Sequence, residues 1–273
     1  MRLSEMFIYP VKSLRGCAVA QAQVDALGLV GDRRFLVVDA ADKFLTQRVL
    51  PRMARVTTAL TTGTLVLSSD GAGHVAVPLH VPSGEAQVRR VTIWKSEGLA
   101  AEDCGEEAAA WLTDVLGQRC RLVRIGERFH RPVLKAAAVP GDLVAFNDAV
   151  PILAVSEASL GELNDRLAAR GEAPVPMDRF RPNLVLTGAA AGEEDTWPRV
   201  KVGNIVLRAA GPSIRCVVTT TDQLTGERHH EPLRTLASYR RDPADATCVR
   251  FGQNFIHETK SGVLRVGDAV VPL

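Results

Sequence analysis

Short apolar runs, set at close intervals between Gly, Asp and Pro turns, constrain this chain more than any other feature. Phe35-Leu36-Val37-Val38, Leu65-Val66-Leu67, Val75-Ala76-Val77, Val91-Thr92-Ile93-Trp94, Leu184-Val185-Leu186 and Ile205-Val206-Leu207 are too short for helices and rich in residues that suit a pleated, half-buried surface. The last stretch, Gly262 to Val271, reads as two short strands around the Gly267-Asp268 turn. Many short strands bury their apolar faces only by packing sheet on sheet or by closing into barrels. We therefore expect a mainly β fold, rich in β-barrel, with α+β elements.

Three segments switch to a helical period. Ala108, Trp111, Leu112, Val115 and Leu116 fall on one helical face behind a candidate Asp103 cap, and Gly117 stops the run. Leu160, Leu163 and Leu167 form a second stripe after a Ser156 cap, ending near Gly171. A third, short helix is expected from Pro232 to Tyr239, with Pro232 in its first turn. These stripes read as core packing.

No repeat and no Gly/Ser linker divides the 273 residues. The best boundary follows the first helix, at Arg121-Leu122-Val123-Arg124, giving domains 1–120 and 121–273. Without a flexible join the two halves should pack tightly, which allows a site shared between them.

Formal net charge is only +2, so bulk electrostatics give no reason to expect a nucleic-acid partner, and any basic site must be local. Cys17, Cys104, Cys120, Cys216 and Cys248 are odd in number and widely spaced, with no Cys-x-x-Cys pair and no signal peptide ahead of them. That pattern points to free thiols in a reducing compartment. No run of about 18 apolar residues occurs, so we expect a cytoplasmic protein without a membrane span.

Chemistry concentrates around Cys216, in Gly211-Pro212-Ser213-Ile214-Arg215-Cys216-Val217-Val218-Thr219-Thr220-Thr221-Asp222. An adjacent arginine, the Gly211-Pro212 turn expected before it and the hydroxyl run that follows favour a thiolate, which is both a nucleophile and a soft metal ligand. A lone cysteine is also commonly a small buried hydrophobe, and the local residues leave both readings open. Basic residues gather near turns in the first half: Lys12-Ser13 and Arg15, Arg33-Arg34, Arg48 and Arg52. Lysine and arginine beside serine or glycine can hold a phosphate, although arginines also flank β turns routinely.

In Asp178-Arg179-Phe180-Arg181-Pro182-Asn183 the proline should hold Arg181 extended and place Arg181 and Asn183 at a strand entrance. There they would serve a polar ligand, or Arg181 would simply pair with Asp178. Phe251-Gly252-Gln253-Asn254 offers amides beside a glycine. The six histidines form no i, i+4 ligand pair, and His229 and His230 sit in a charged stretch. No Gly-x-Ser-x-Gly elbow, P-loop or Rossmann fingerprint is present.

Taken in order, Tyr9-Pro10-Val11-Lys12-Ser13, Gly31-Asp32-Arg33-Arg34, Thr46-Gln47-Arg48, Ser156-Glu157-Ala158-Ser159-Leu160, Phe180-Arg181-Pro182-Asn183, Glu194-Asp195-Thr196-Trp197, Arg215-Cys216, Glu231 to Leu236 and Phe251-Gly252-Gln253 resemble the MOSC family. The resemblance is closest to the branch of the mitochondrial amidoxime-reducing components and their bacterial YcbX-like relatives. It implies an N-terminal β-barrel-type domain packed on a MOSC β-barrel with a few short helices, and it implies the molybdopterin form of the molybdenum cofactor.

By that resemblance Cys216 is the protein thiolate on molybdenum, and Lys12, Ser13 and Arg33 match positions that hold the cofactor's phosphate end. Arg181 and Asn183 match pterin-contacting positions, with Asp148, Arg215 and Asn254 as further members of the shell. Asn254 departs from the tyrosine found there in some relatives. The implied activity is reduction of N-hydroxylated compounds such as amidoximes, hydroxylamines or N-hydroxylated bases, with the oxygen abstracted at molybdenum.

No Cys-x4-Cys-x2-Cys cluster is present, so electrons are expected from a separate ferredoxin, flavoprotein or cytochrome b5-like protein. The alternative is a non-catalytic carrier of the cofactor or of sulfur. A metal-free cysteine-nucleophile transferase would need His257 or His230 beside Cys216.

Overall fold

The computed structural model describes residues 1–82 and 84–273. The expected mainly β architecture is present: four sheets and three α-helices among the described residues. The largest sheet has eight strands, in spatial order Val270–Pro272, Arg199–Val202, Ile205–Arg215, Val249–His257, Ile152–Ser156, Leu184–Thr187, Arg2–Ile8 and Cys17–Ala18. Neighbours are antiparallel except Ile152–Ser156 and Leu184–Thr187, which run parallel.

A parallel pair needs a crossover, and the helix Glu157–Ala168 supplies it. Ser156 caps that helix, its side chain accepting from the Ser159 amide. Leu163 and Leu167 bury against Val155, Phe180 and Phe251 as the stripe predicts.

A second sheet orders Phe35–Val38, Arg121–Arg124, Ser96–Asp103 and Val88–Ile93, and two three-stranded sheets complete the fold. Strands distant in sequence are joined in these sheets. Arg2–Ile8 pairs with Leu184–Thr187, Gln21–Asp25 pairs with Gly262–Arg265, and Arg121–Arg124 lies between strands of the first half. The apolar sides of the first and last strands meet in one core holding Leu3, Met6, Leu184, Leu186, Leu207, Phe255 and Leu264.

Local expectations change in five places. The first helix, Glu106–Leu116, starts after Gly105, because Asp103 still belongs to a strand and its carboxylate is taken by Arg121 at 2.6 and 2.9 Å. The third helix is only Leu233–Leu236, since the amides of Ser238 and Tyr239 tighten the chain by bonding back three residues, to the Thr235 and Leu236 carbonyls. Gly211-Pro212 is no turn but an irregularity inside the eleven-residue strand Ile205–Arg215, where the register slips on either side of Pro212. Trp94 leaves its strand after Ile93, at φ 52°. Arg181 is not extended before its proline but sits at φ 55°.

Candidate functional site

Residues far apart in sequence converge on one cleft of about 250 Å³. Its lining includes Lys12, Ser13 and Arg33 from the first half and Asp148, Arg181, Asn183, Arg215, Cys216 and Asn254 from the second. All nine residues that the family resemblance assigns to a site therefore line one cavity. Six cationic side chains line it (Lys12, Arg33, Arg48, Lys135, Arg181 and Arg215) against one carboxylate, Asp148, so a chain of nearly neutral net charge carries a concentrated positive site.

Cys216 follows the strand Ile205–Arg215 and precedes the short 3-10 turn Val217–Thr220. Its carbonyl accepts from both the amide and the hydroxyl of Thr219, each at 3.0 Å, which fixes the backbone while the residue stays half-buried at the cleft. Arg215 donates to Ser213 Oγ at 2.7 Å and to the Phe180 carbonyl at 2.6 Å, leaving its Nε buried without a partner.

Tyr9 organises the opposite wall. Its ring is buried against the guanidinium groups of both Arg33 and Arg181, each 4.2 Å from the ring centroid, and its hydroxyl donates to the Pro182 carbonyl at 3.0 Å. Cation–π attraction to one aromatic ring helps to hold these two like charges at one site. Burial pushes the Tyr9 phenol far up, so it stays neutral. Burial also lowers Arg181 to about 10, well above neutral pH, and its Nη2 has no partner.

Arg33 is aimed by Asp32, which accepts from Arg33 Nη1 with both oxygens at 2.8 Å, from the Tyr9 amide at 2.9 Å and from Asn147 Nδ2 at 3.1 Å. Asn183 Oδ1 takes a further bond from Arg33 at 3.2 Å. Asn183 is thus committed to the scaffold as well as to the cleft.

Asp148 is the hub of the third side. It accepts from Lys12, from Arg48 Nη2 at 3.1 Å and from Trp94 Nε1 at 3.1 Å. Burial alone would raise its carboxyl, but the charges of Lys12 and Arg48 and the bonds from Lys12 and Trp94 outweigh it and hold the group ionised. Burial lowers Lys12 to about 8, with Asp148 opposing the shift. Arg131 holds the loop that carries Asp148 by bonding the carbonyls of Ala145, Asn147 and Asp148.

Asn254 reaches the cleft because Gly252, at φ 78°, lets its strand approach the Ala154 carbonyl. A Cβ there would lie 2.7 Å from that oxygen. Asn254 Nδ2 also bonds the Pro212 carbonyl at 3.3 Å.

Residues 1–119 match the MOSC N-terminal beta barrel domain and residues 142–271 match the MOSC domain. The chain is 37% identical to the mitochondrial amidoxime-reducing component 1 of Mus musculus, over 98% of this chain and 81% of that one. The chain belongs to the MOSC family. Within it, the component 1 of Homo sapiens is 36% identical and the component 2 of Rattus norvegicus 35%, each over 98% of this chain and 82% of theirs.

In this MOSC protein several cleft residues escape a reading of the sequence. Tyr9 and Arg48 stand inside the motifs above, yet nothing local says that one packs on two arginines or that the other reaches Asp148. Asn147 lines the cleft without belonging to any motif, Asp32 acts behind the lining, and Trp94 reads only as a strand residue. Other basic turn residues go elsewhere: Arg34 pairs with Asp25 at 2.7 Å, and Arg15 bonds the Gln223 carbonyl.

Neither histidine needed for a cysteine-nucleophile reading lines the cleft. His257 is buried against the Asp25 carbonyl at 2.8 Å, with burial lowering it to about 4, and His230 is exposed. The five cysteines are unpaired, and among the described residues no helix is long and apolar enough to cross a membrane.

Proposed function

We propose that this MOSC protein is a molybdenum-cofactor-dependent reductase of N-hydroxylated compounds. The observation that carries the reading is the convergence of one accessible thiol, Cys216, with a cation-rich wall in a single cleft. The cleft suits an anionic, polar cofactor, because Arg181 Nη2 and Arg215 Nε are buried donors without acceptors. Among the described residues no cluster of three or more His, Cys, Asp or Glu side chains could hold a metal, so a metal at Cys216 must bring further donors with it, as a dithiolene cofactor does.

In this reading Cys216 ligates the metal, while Lys12, Ser13 and Arg33 take the phosphate end. Arg181, Asn183, Arg215 and Asn254 face the pterin, and Asp148 fixes Lys12 and Arg48. The bound cofactor supplies two-electron removal of an oxygen atom, a reaction whose balance is R–NH–OH plus two electrons and two protons giving R–NH2 and water. The chain's part is to hold the sulfur in place, neutralise the phosphate and orient the N–OH group. No side chain need act as a base, and protons arrive from solvent. Electrons come from a separate donor protein.

The test is metal analysis of the chain produced in a cofactor-competent host, followed by benzamidoxime reduction with a chemical reductant. About one molybdenum per chain and formation of benzamidine are expected. Absence of molybdenum sinks the reading, and molybdenum without turnover leaves a carrier in its place.

The phosphate wall makes its own prediction. Lys12 is charged below about pH 8 and neutral above it, so sulfate affinity of the cofactor-free chain should fall as pH rises through that value. Titrations of sulfate at pH 7 and pH 9 check this, and Lys12→Met should remove most of the difference. An equal fall in Lys12→Met would assign the effect to another group.

A further inference from the structure

Trp94 is unexplained by the fold and uncommitted by the reaction. It is 46% exposed, although a tryptophan gains more than most residues from burial. It also holds φ 52°, a region that a bulky residue occupies only under backbone strain, whereas glycine or asparagine would make the same turn freely. Five non-glycine residues share positive φ among the described residues: Ser13, Arg33, Asp42, Trp94 and Arg181. Three of them line the cleft, and Trp94 hydrogen-bonds a fourth lining residue, Asp148. Strained backbone therefore gathers at this site, and Trp94 belongs to that group.

The indole is held in one orientation. Its Nε1 donates to Asp148 at 3.1 Å, the guanidinium of Arg48 lies 4.7 Å from its ring centroid, and Phe44 packs edge-to-face at 4.8 Å. Two of these anchors, Asp148 and Arg48, line the cleft that holds Cys216. A fixed, exposed aromatic surface thus borders a strongly cationic cavity. On the lining itself Ile214 is likewise 46% exposed. The site combines polar, charged walls with apolar surface left open to solvent, an arrangement that fits a ligand with one polar and one apolar, planar end.

We propose that Trp94 is a specificity-determining residue, on which the planar apolar part of an N-hydroxylated substrate rests while its N–OH group lies in the cleft near Cys216. The inference deepens the proposed reaction and rests on it for the substrate class. It favours N-hydroxy compounds that carry an aryl or heteroaryl group over small alkyl ones.

Binding and turnover separate the two ideas. Calorimetric affinities for benzamidoxime and acetamidoxime are compared on the molybdenum-loaded protein, its Trp94→Ala variant and its Trp94→Phe variant, with turnover measured alongside. Trp94→Ala should weaken benzamidoxime by about fivefold to tenfold and leave acetamidoxime within about twofold. Trp94→Phe should keep benzamidoxime within about threefold, although it loses the bond to Asp148. The proposal is overturned if Trp94→Ala weakens both ligands alike or neither, if Trp94→Phe is as impaired as Trp94→Ala, or if the unmodified protein binds no benzamidoxime. Benzamidoxime that binds in a Trp94-dependent way but is not reduced sinks the reaction and leaves the role of Trp94 standing.

Discussion

Replacing Cys216 by alanine should reduce molybdenum retention and N-hydroxy reduction to background, a loss of more than about a hundredfold. Groups that only orient a metal ligand commonly cost tenfold to a hundredfold when removed, and a residue that is the one protein ligand, as proposed for Cys216, should cost more. Cys216→Ser should rescue neither property, because a neutral hydroxyl is a hard, weak donor where a soft thiolate is required. The fold should survive both changes. Cys216 is half-buried; its thiol interacts with the Arg48 guanidinium at the cleft, and its backbone carbonyl accepts from Thr219, a bond that substitution keeps. Metal analysis, turnover and circular dichroism on the same samples check the three statements. Full molybdenum retention and activity in Cys216→Ala would remove the thiolate from the mechanism.

Asp32→Ala should destabilise the protein by about 3–5 kcal/mol, the usual cost of removing one partner from a buried ion pair. Asp32 is 2% exposed and serves the Arg33 guanidinium, the Tyr9 amide and the Asn147 side chain together. Its loss leaves a poorly compensated cation beside a buried ring, strips the Tyr9 amide of its acceptor and leaves Asn147 Nδ2 with the Pro151 carbonyl alone. Asp32→Asn should fall between the two proteins, since its amide oxygen can still accept from Tyr9 but brings no charge to meet Arg33. Urea denaturation midpoints decide the order. A loss below about 1 kcal/mol in Asp32→Ala would mean that solvent screens the pair, as it does at exposed sites.

Both predictions depend on side chains whose type was visible in the chain but whose company was not. Cys216 stands out because arginine and hydroxyl residues surround it, and Lys12, Ser13 and Arg33 stand out as charge and hydroxyl groups at turns. The short strands were equally plain: the runs at 35–38, 184–186 and 205–207 all form strands, and the Leu160, Leu163, Leu167 stripe forms the helix that its period demands. These signals are local, set by side-chain alternation, turn residues and caps within a few positions.

Local rules failed where the tertiary structure imposes another conformation. Proline normally keeps its predecessor extended, yet Arg181 adopts φ 55° with its guanidinium stacked on Tyr9. Gly211-Pro212 reads as a turn, yet strand pairing on both sides draws it into a bulge that leads to Cys216. Trp94 reads as the end of a strand, yet it turns out toward Asp148. In each case contacts from distant segments outweigh a preference worth a few kcal/mol or less.

The amino-acid sequence by itself determined the mainly β class, the crossover helix and the kinds of group available for chemistry, because these follow from spacing and composition over a few residues. The tertiary structure alone decided that Lys12 meets Asp148, that Tyr9 packs on both Arg33 and Arg181, and that Trp94 borders the cleft of Cys216. Those relations join residues up to 172 positions apart, as Tyr9 and Arg181 are. Only sheet pairing between the two ends of the chain brings them within a hydrogen bond of one another.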